Sequence, residues 1–195
     1  LGCTNLTNVT IGRNVTNMGA YAFARTRLTN FLIPDSVSNI AEGSFSNCTK
    51  LASVTIGMNV TNIGQYAFTG CTNLINITIP DSVASIGNSA FSSCRSLTSA
   101  VIGNGVVNIE SNAFYLCRSL FSVTIPDSVT SIGNGAFAGC TNLANVSIGN
   151  GITNITKNVF YTSNLTSVVI GSGIIAIGGL TNNLTFEGCA RLTNI

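Results

Sequence analysis

The strongest constraint on the fold is a sequence repeat with a period of 23 residues. The period appears in three separate columns, one of leucines, one of phenylalanines and one of cysteines. Their regularly spaced members are Leu51, Leu74, Leu97, Leu120 and Leu143, then Phe45, Phe68, Phe91, Phe114 and Phe137, then Cys48, Cys71, Cys94, Cys117 and Cys140. Agreement between three columns predicts a solenoid in which each repeat forms one rung stacked on the next.

One rung contains a strand, a turn and a return segment. Residues 120–140 read LFSVTIPDSVTSIGNGAFAGC, or L-x-x-V-x-I-[PG]-x-x-V-x-x-I-x-x-x-A-F-x-x-C. The V-x-I part alternates as a half-buried strand does, and the Pro or Gly after it indicates a turn. Apolar residues three apart in V-x-x-I and A-F-x-x-C favour a short extended piece and then a helical turn. We therefore predict a parallel β-sheet on the inner face and short extended, 3-10 or one-turn helical segments on the outer face.

A single rung is too small to fold alone. It buries roughly six or seven apolar side chains at about 1.5–3 kcal/mol each, against about 1–2 kcal/mol of backbone entropy for each residue. Stacked rungs begin at Leu6, Leu28, Leu51, Leu74, Leu97, Leu120, Leu143 and Leu165. Both termini lie in mid-rung without a polar cap, so we expect either part of a longer array or identical chains stacked end to end. Four extra residues between Ile177 and Phe186 predict an outer loop at Gly178, Gly179 and Asn182.

The rung motif resembles a known family. The pattern L-x-x-V-x-I-P-D-S-V-x-x-I-G-x-x-A-F-x-x-C is similar to the BspA-like subclass of leucine-rich repeats over nearly the whole chain. The resemblance implies that residues 1–195 form a single leucine-rich-repeat solenoid of about eight rungs. Because family members resemble bacterial and protozoan surface proteins used for adhesion and protein binding, it also implies an extracellular or cell-surface location. The export signal would then lie outside this chain.

The surface is predicted to be polar but almost uncharged. Charged residues make up 7% of the chain, against roughly 25% in typical soluble domains. A net charge of +2 spread along the chain lacks the basic stripe that nucleic acids and anionic membranes require, so neither is an expected partner. No apolar run approaches the roughly 18–20 residues that span a bilayer.

The sequence does not indicate an enzyme. The chain has no His, which excludes Ser-His and Cys-His nucleophilic systems and most catalytic transition-metal sites. The six carboxylates fall on different rungs or columns, with no pair evidently placed for acid–base hydrolysis: Asp35, Glu42, Asp81, Glu110, Asp127 and Glu187. We predict no cofactor and no metal site.

Two further columns have a structural interpretation. Asp35, Asp81 and Asp127 each follow a proline at intervals of 46 residues, which indicates turns in which the carboxylate accepts local backbone N–H groups. Carboxylates about 10 Å apart cannot share one cation. The cysteine column is predicted to lie in the core, either as free thiols or as disulfides between neighbouring rungs. Cys3 and Cys189 should be the most exposed and are candidates for an intermolecular link.

The candidate binding surface is the outward side of the predicted sheet. The centre of V-x-I points outward, and Ile75 and Phe121 lie beside that column. The candidate partner-binding residues are Leu32, Ile75, Val101, Phe121, Thr55, Thr78, Thr124 and Val169. Apolar side chains on an exposed sheet suggest a module that binds protein or glycan. The alternative is a structural subunit that stacks head to tail into fibres or a surface layer. A third hypothesis is that the regular Thr columns order water or ice, which would require a flat face.

Overall fold

The structure is a computed structural model that describes residues 3–178 and 185–192. Its largest element is a seven-stranded sheet in which every neighbouring pair is parallel. The strands of this sheet are β1 (Asn30–Leu32), β3 (Ser53–Thr55), β5 (Asn76–Ile79), β7 (Ser99–Ile102), β9 (Ser122–Ile125), β11 (Asn145–Ile148) and β13 (Ser167–Ile170). Residues at the same position of the repeat pair with each other on neighbouring rungs, as Asn76 does with Ser99. The predicted parallel sheet and its register are therefore confirmed.

The return segments form a second set of parallel strands. Five of them make one sheet: β2 (Asn39–Ile40), β4 (Asn62–Ile63), β6 (Ser85–Ile86), β8 (Asn108–Ile109) and β10 (Ser131–Ile132). The strands β12 (Asn154–Ile155) and β14 (Ala176–Ile177) pair with each other. The extended form of the predicted return segment is thus correct. Of the predicted loop, Gly178 is described, while Gly179 and Asn182 lie outside the described residues.

The segment around each Phe is a series of turns, and the described residues contain no helix. Two residues per rung have positive φ, as Asn112 (57°) and Leu116 (58°) do on either side of Phe114. A left-handed residue interrupts a helix, and here it directs N–H groups to the next rung. Phe114 N donates to Ala136 O at 2.7 Å and Leu116 N donates to Ala138 O at 2.9 Å. Bonds between rungs therefore replace the bonds of the helical turn that the sequence suggested.

The Phe column forms the centre of the core. From Phe45 to Phe160 the rings are fully buried, and neighbouring centroids lie 5.1 to 5.7 Å apart with interplanar angles of 0 to 15°. The Leu, Ile and Val residues of the motif pack around this stack in one continuous cluster. The predicted shared interior is confirmed.

The cysteines are free thiols, which decides between the two alternatives left by the sequence. Each buried thiol donates to a Phe carbonyl of the preceding rung, as Cys94 Sγ does to Phe68 O at 3.2 Å. In one of the two rungs that lack a cysteine at this position, Ser163 Oγ donates to Phe137 O at 3.2 Å. As expected, Cys3 and Cys189 are the most exposed of the cysteines, although only Cys3 lies at the surface and Cys189 is 9% exposed. Cys189 is buried because its Sγ continues the column and donates to Phe160 O at 3.3 Å.

The turn after each long strand alternates between Pro-Asp and Gly. Asp81 Oδ1 accepts a hydrogen bond from Asn104 N at 2.6 Å. The carboxylate therefore accepts a backbone N–H as predicted, but the donor is on the next rung and is not local. A Cβ on Gly103 would lie 2.6 Å from Pro80 O, a distance that side chains do not tolerate. A residue larger than glycine would therefore be strained at Gly103, which fits the alternation of Pro and Gly turns in this part of the chain. The same close approach occurs between Gly171 and Gly149 O, at 2.6 Å, where neither turn carries Pro.

Candidate binding surface

The exposed face of the seven-stranded sheet consists of two columns of side chains. The first column contains Asn30, Ser53, Asn76, Ser99, Ser122, Asn145 and Ser167. The second contains Leu32, Thr55, Thr78, Val101, Thr124, Ser147 and Val169. Strand alternation places the intervening Val, Ile, Phe and Ala residues in the core. Leu32, Val101 and Val169 interrupt an otherwise small and polar face, with 63%, 55% and 61% of their surfaces exposed.

The structure separates the predicted binding residues into two groups. Six of them share the second column: Leu32, Thr55, Thr78, Val101, Thr124 and Val169. Ile75 and Phe121 lie at the opposite edge of the sheet, where β5 and β9 begin. They are two rungs apart, and Thr98 lies between them with its Oγ1 donating to Asn76 Oδ1 at 3.1 Å. All eight residues are exposed, but they do not form one cluster.

A groove follows the edge at which the long strands end. It consists of three cavities of about 640, 500 and 560 Å³ arranged along the solenoid. Neighbouring cavities share lining residues, first Thr55 and Met58, then Val101 and Asn104. We call this feature the axial groove; its walls are the second column of the sheet and the Pro or Gly turns, from Thr10 to Gly149.

Met58 is a site residue that the sequence analysis missed. It lines the axial groove and is 65% exposed. The signal was present, because the equivalent turn position in the other rungs is polar. Those residues are Arg13, Asp35, Asp81, Asn104, Asp127, Asn150 and Ser172. A large apolar side chain in this column has no role in the core, so its exposure suggests contact with a partner.

Seven of the fourteen charged residues lie at the two edges of the sheet. Asp35, Asp81 and Asp127 are exposed at the edge where the strands end, and we call them the acidic rim. Four exposed cations precede the strands and form the basic rim: Arg27, Lys50, Arg95 and Arg118. The charges are spread along the length of the chain, but these seven residues lie at two separate edges of the sheet. The exclusion of nucleic acid stays a prediction.

The described residues offer little for catalysis. In residues 3–178 and 185–192, no group of three or more Cys, Asp or Glu residues is placed to hold a metal ion. Burial raises the pKa of the Cys94 and Cys140 thiols to about 12, so they are protonated and inaccessible. Hydrogen bonds from Cys71 and Thr26 lower the pKa of Cys48 to about 7, but this side chain is fully buried. Across the described part of the chain, no helix has the length and apolarity needed to cross a membrane.

Comparison with known proteins identifies close similarities. The sequence matches the profile of the BspA type leucine rich repeat region in 6 copies, over residues 1–92 and 61–193. The leucine rich repeat protein TpLRR of T. pallidum is 32% identical, with a TM-score of 0.77 over 86% of this chain and 79% of that one. A leucine rich cell surface protein of Faecalibacterium prausnitzii is 26% identical, with a TM-score of 0.55 over 98% and 69%.

A leucine-rich repeat protein of Eubacterium ventriosum shows the same fold at 23% identity. Its TM-score is 0.64, and the match covers 97% of this chain and 54% of that one. No curated protein matches the sequence.

Proposed function

The chain belongs to the BspA-type leucine-rich-repeat family, and from that premise we propose that it is a non-enzymatic binding module of a bacterial cell surface. Its partner is a protein held on the exposed face of the seven-stranded sheet. The family and the similar structures support a protein-binding repeat module, and one of those structures is described as a cell surface protein. Adhesion is the specific role proposed here.

The observation that carries this proposal is the exposure of large apolar side chains on one polar face. Phe121 is 58% exposed and stands beside the first column of the sheet, whose members are Ser and Asn. Aromatic residues are enriched among those that dominate binding energy, and they act by filling a pocket on the partner. Val101 lies on the same face, in the second column, and is 55% exposed. A partner that covers both residues removes apolar surface from water.

The test begins with a peptide library displayed on phage and selected on the immobilised protein. We expect the selected peptides to bind the Val101→Ser, Phe121→Ser double variant at least tenfold more weakly, because loss of a residue that dominates binding costs about 2 kcal/mol or more. The matched control is Val107→Ser. Val107 is exposed but precedes β8 in the second sheet. Equal binding to the double variant, or equal loss in the control, would contradict the proposal.

Glycan recognition and self-assembly are the other versions of this function. A glycan array tests glycan recognition. If the protein binds a glycan on the array and the double variant does not, the partner is a glycan. Self-assembly is suggested by the low charge of the chain, 7% of residues, which permits close approach of identical molecules. Light scattering over a concentration series decides the second, since a growing particle supports a fibre or layer and a constant monomer mass excludes it.

A further inference from the structure

The axial groove carries a regular row of carboxylates. Asp35, Asp81 and Asp127 recur every two rungs, which places them about 10 Å apart along the solenoid. Each is held in place by the turn of the next rung. Asp35 Oδ1 accepts from Met58 N at 2.7 Å, and Asp127 Oδ1 accepts from Asn150 N at 2.7 Å. Because only one oxygen takes part in each of these bonds, the second is available to a ligand.

The groove also offers apolar surface between the carboxylates. Leu32, Met58 and Val101 line it and are each more than half exposed. The exposed threonines of the second column add hydroxyl groups that can bond to a peptide backbone. Arg13 lines the groove only at one end. The surface therefore combines negative charge at a fixed interval with apolar contact, which matches a ligand that is basic at the same interval and apolar in between.

We propose that the axial groove binds an extended peptide that carries a Lys or Arg at every third position. A polyproline II helix has three residues per turn and rises about 3.1 Å per residue, so every third side chain lies on the same side about 9 Å from the last. Three such cations meet Asp35, Asp81 and Asp127 in succession, and long Lys or Arg side chains absorb the small difference in interval. This inference rests on the proposed function, since it names the kind of partner and the part of the sheet face that holds it.

A second copy of the chain fits the acidic rim less well. Among the described residues, the basic rim is the one row of cations that a second copy could place against the acidic rim. Lys50 and Arg95 are two rungs apart, but Arg95 and Arg118 are on adjacent rungs. This irregular interval does not match carboxylates that recur every two rungs. A peptide with a regular repeat matches all three carboxylates at once.

The test compares two synthetic peptides of equal composition by fluorescence anisotropy. The first is Lys-Pro-Val repeated four times, and the second has the same residues with the lysines in adjacent pairs. The variant is Asp81→Asn, Asp127→Asn. This change removes charge but preserves the turn, because Asn150 already performs the same role and its Oδ1 accepts from Ser172 N at 2.9 Å. The matched control is Glu110→Gln, which removes a carboxylate outside the groove that accepts from Asn88 N at 2.8 Å.

We expect the regular peptide to bind more tightly than the paired peptide, and more weakly as salt rises. The double variant should bind the regular peptide about four- to twenty-fivefold more weakly, at about two- to fivefold for each exposed carboxylate. The control should bind as the unchanged protein does. Equal binding of the two peptides, or no loss in the double variant, would overturn the inference.

Two further outcomes separate this inference from the proposed function. If library peptides depend on Val101 and Phe121 but the regular peptide does not bind, the proposed function stands and the inference fails. If the protein dimerises and the double variant is monomeric, the occupant of the groove is a second copy, and the inference is again overturned.

Discussion

At the scale of single residues, the buried cysteines serve as small core residues with one donor each. Cys94 and Cys140 are almost completely enclosed, and burial raises the pKa of both thiols from the ordinary value of 9.0 to about 12. In the unfolded chain these thiols ionise above about pH 9, whereas in the folded protein they stay protonated up to about pH 12. Because the folded pKa is the higher one, their stabilising contribution is complete below pH 9 and is lost as the pH rises toward 12.

This difference predicts a loss of stability in alkaline solution. Between about pH 8 and about pH 10.5, each of these thiols should lower the free energy of unfolding by on the order of 2 kcal/mol. Urea unfolding at the two pH values measures the loss. The control is Cys94→Ser, Cys140→Ser, which the fold should accept because Ser163 already holds the equivalent position. The same loss in the variant and the unchanged protein would show that these thiols are not its cause.

The residues of the binding surface were only partly predictable. Strand alternation placed Leu32 and Val101 outward, because that period depends only on the backbone. Met58 was missed because its position is a turn, where no periodicity separates inside from outside. The interval of 46 residues predicted the row of three aspartates along one edge, but the basic rim was missed. Lys50 and Arg118 are separated from the next Leu by different numbers of residues. The sequence repeat therefore does not place them in one column, and only the folded turns show that they lie at the same edge.

At the scale of the rung, the sequence motif predicted the long strands better than the return segment. The V-x-x-I spacing fits a helical turn as well as a bent extended piece. Here the turn precedes the Val, and the chain from the Val to the Ile is extended and ends in a two-residue strand, with both side chains buried. The left-handed residues gave only a partial signal, since glycine occupies some of these positions, such as Gly135 and Gly139, but not others. Ser89 and Leu116 occupy two of these positions (54° and 58°), although glycine is the residue that usually marks such a conformation. Bonds to the next rung hold them there, and those bonds exist only in the stacked structure.

The pairing of Pro-Asp rungs with Gly rungs makes a prediction for the turns. Gly103→Ala should lower the free energy of unfolding by about 1–3 kcal/mol, because the new Cβ would push against Pro80 O. Gly12→Ala is the matched control, since Gly12 occupies the same column and a Cβ there meets nothing within 4 Å. It should change stability by less than about 0.5 kcal/mol. Thermal unfolding of both variants gives the comparison, and similar midpoints would argue against close packing of the paired turns.

At the scale of the whole molecule, the rungs depend on one continuous interior. Phe91 lies between Phe68 and Phe114 with ring centroids 5.2 Å from each. Phe91→Ala should therefore cost about 3–5 kcal/mol of stability, because it leaves a cavity and removes the ring that packs against both neighbours. Phe121→Ala is the control, because Phe121 is exposed and should change stability by no more than about 0.5 kcal/mol. Equal costs in denaturant unfolding would mean that the stack does not hold the solenoid together.

The molecule as a whole presents one face to a partner, and hydroxyl-radical footprinting tests this most directly. Met58 and Phe121 are more than half exposed on that side, whereas Tyr66 and Tyr161 are exposed on the outer turns. With a peptide selected from the library bound, we predict that oxidation falls at Met58, at Phe121 or at both, and is unchanged at the two tyrosines. Protection of the tyrosines with Met58 and Phe121 still fully oxidised would contradict binding on the sheet face.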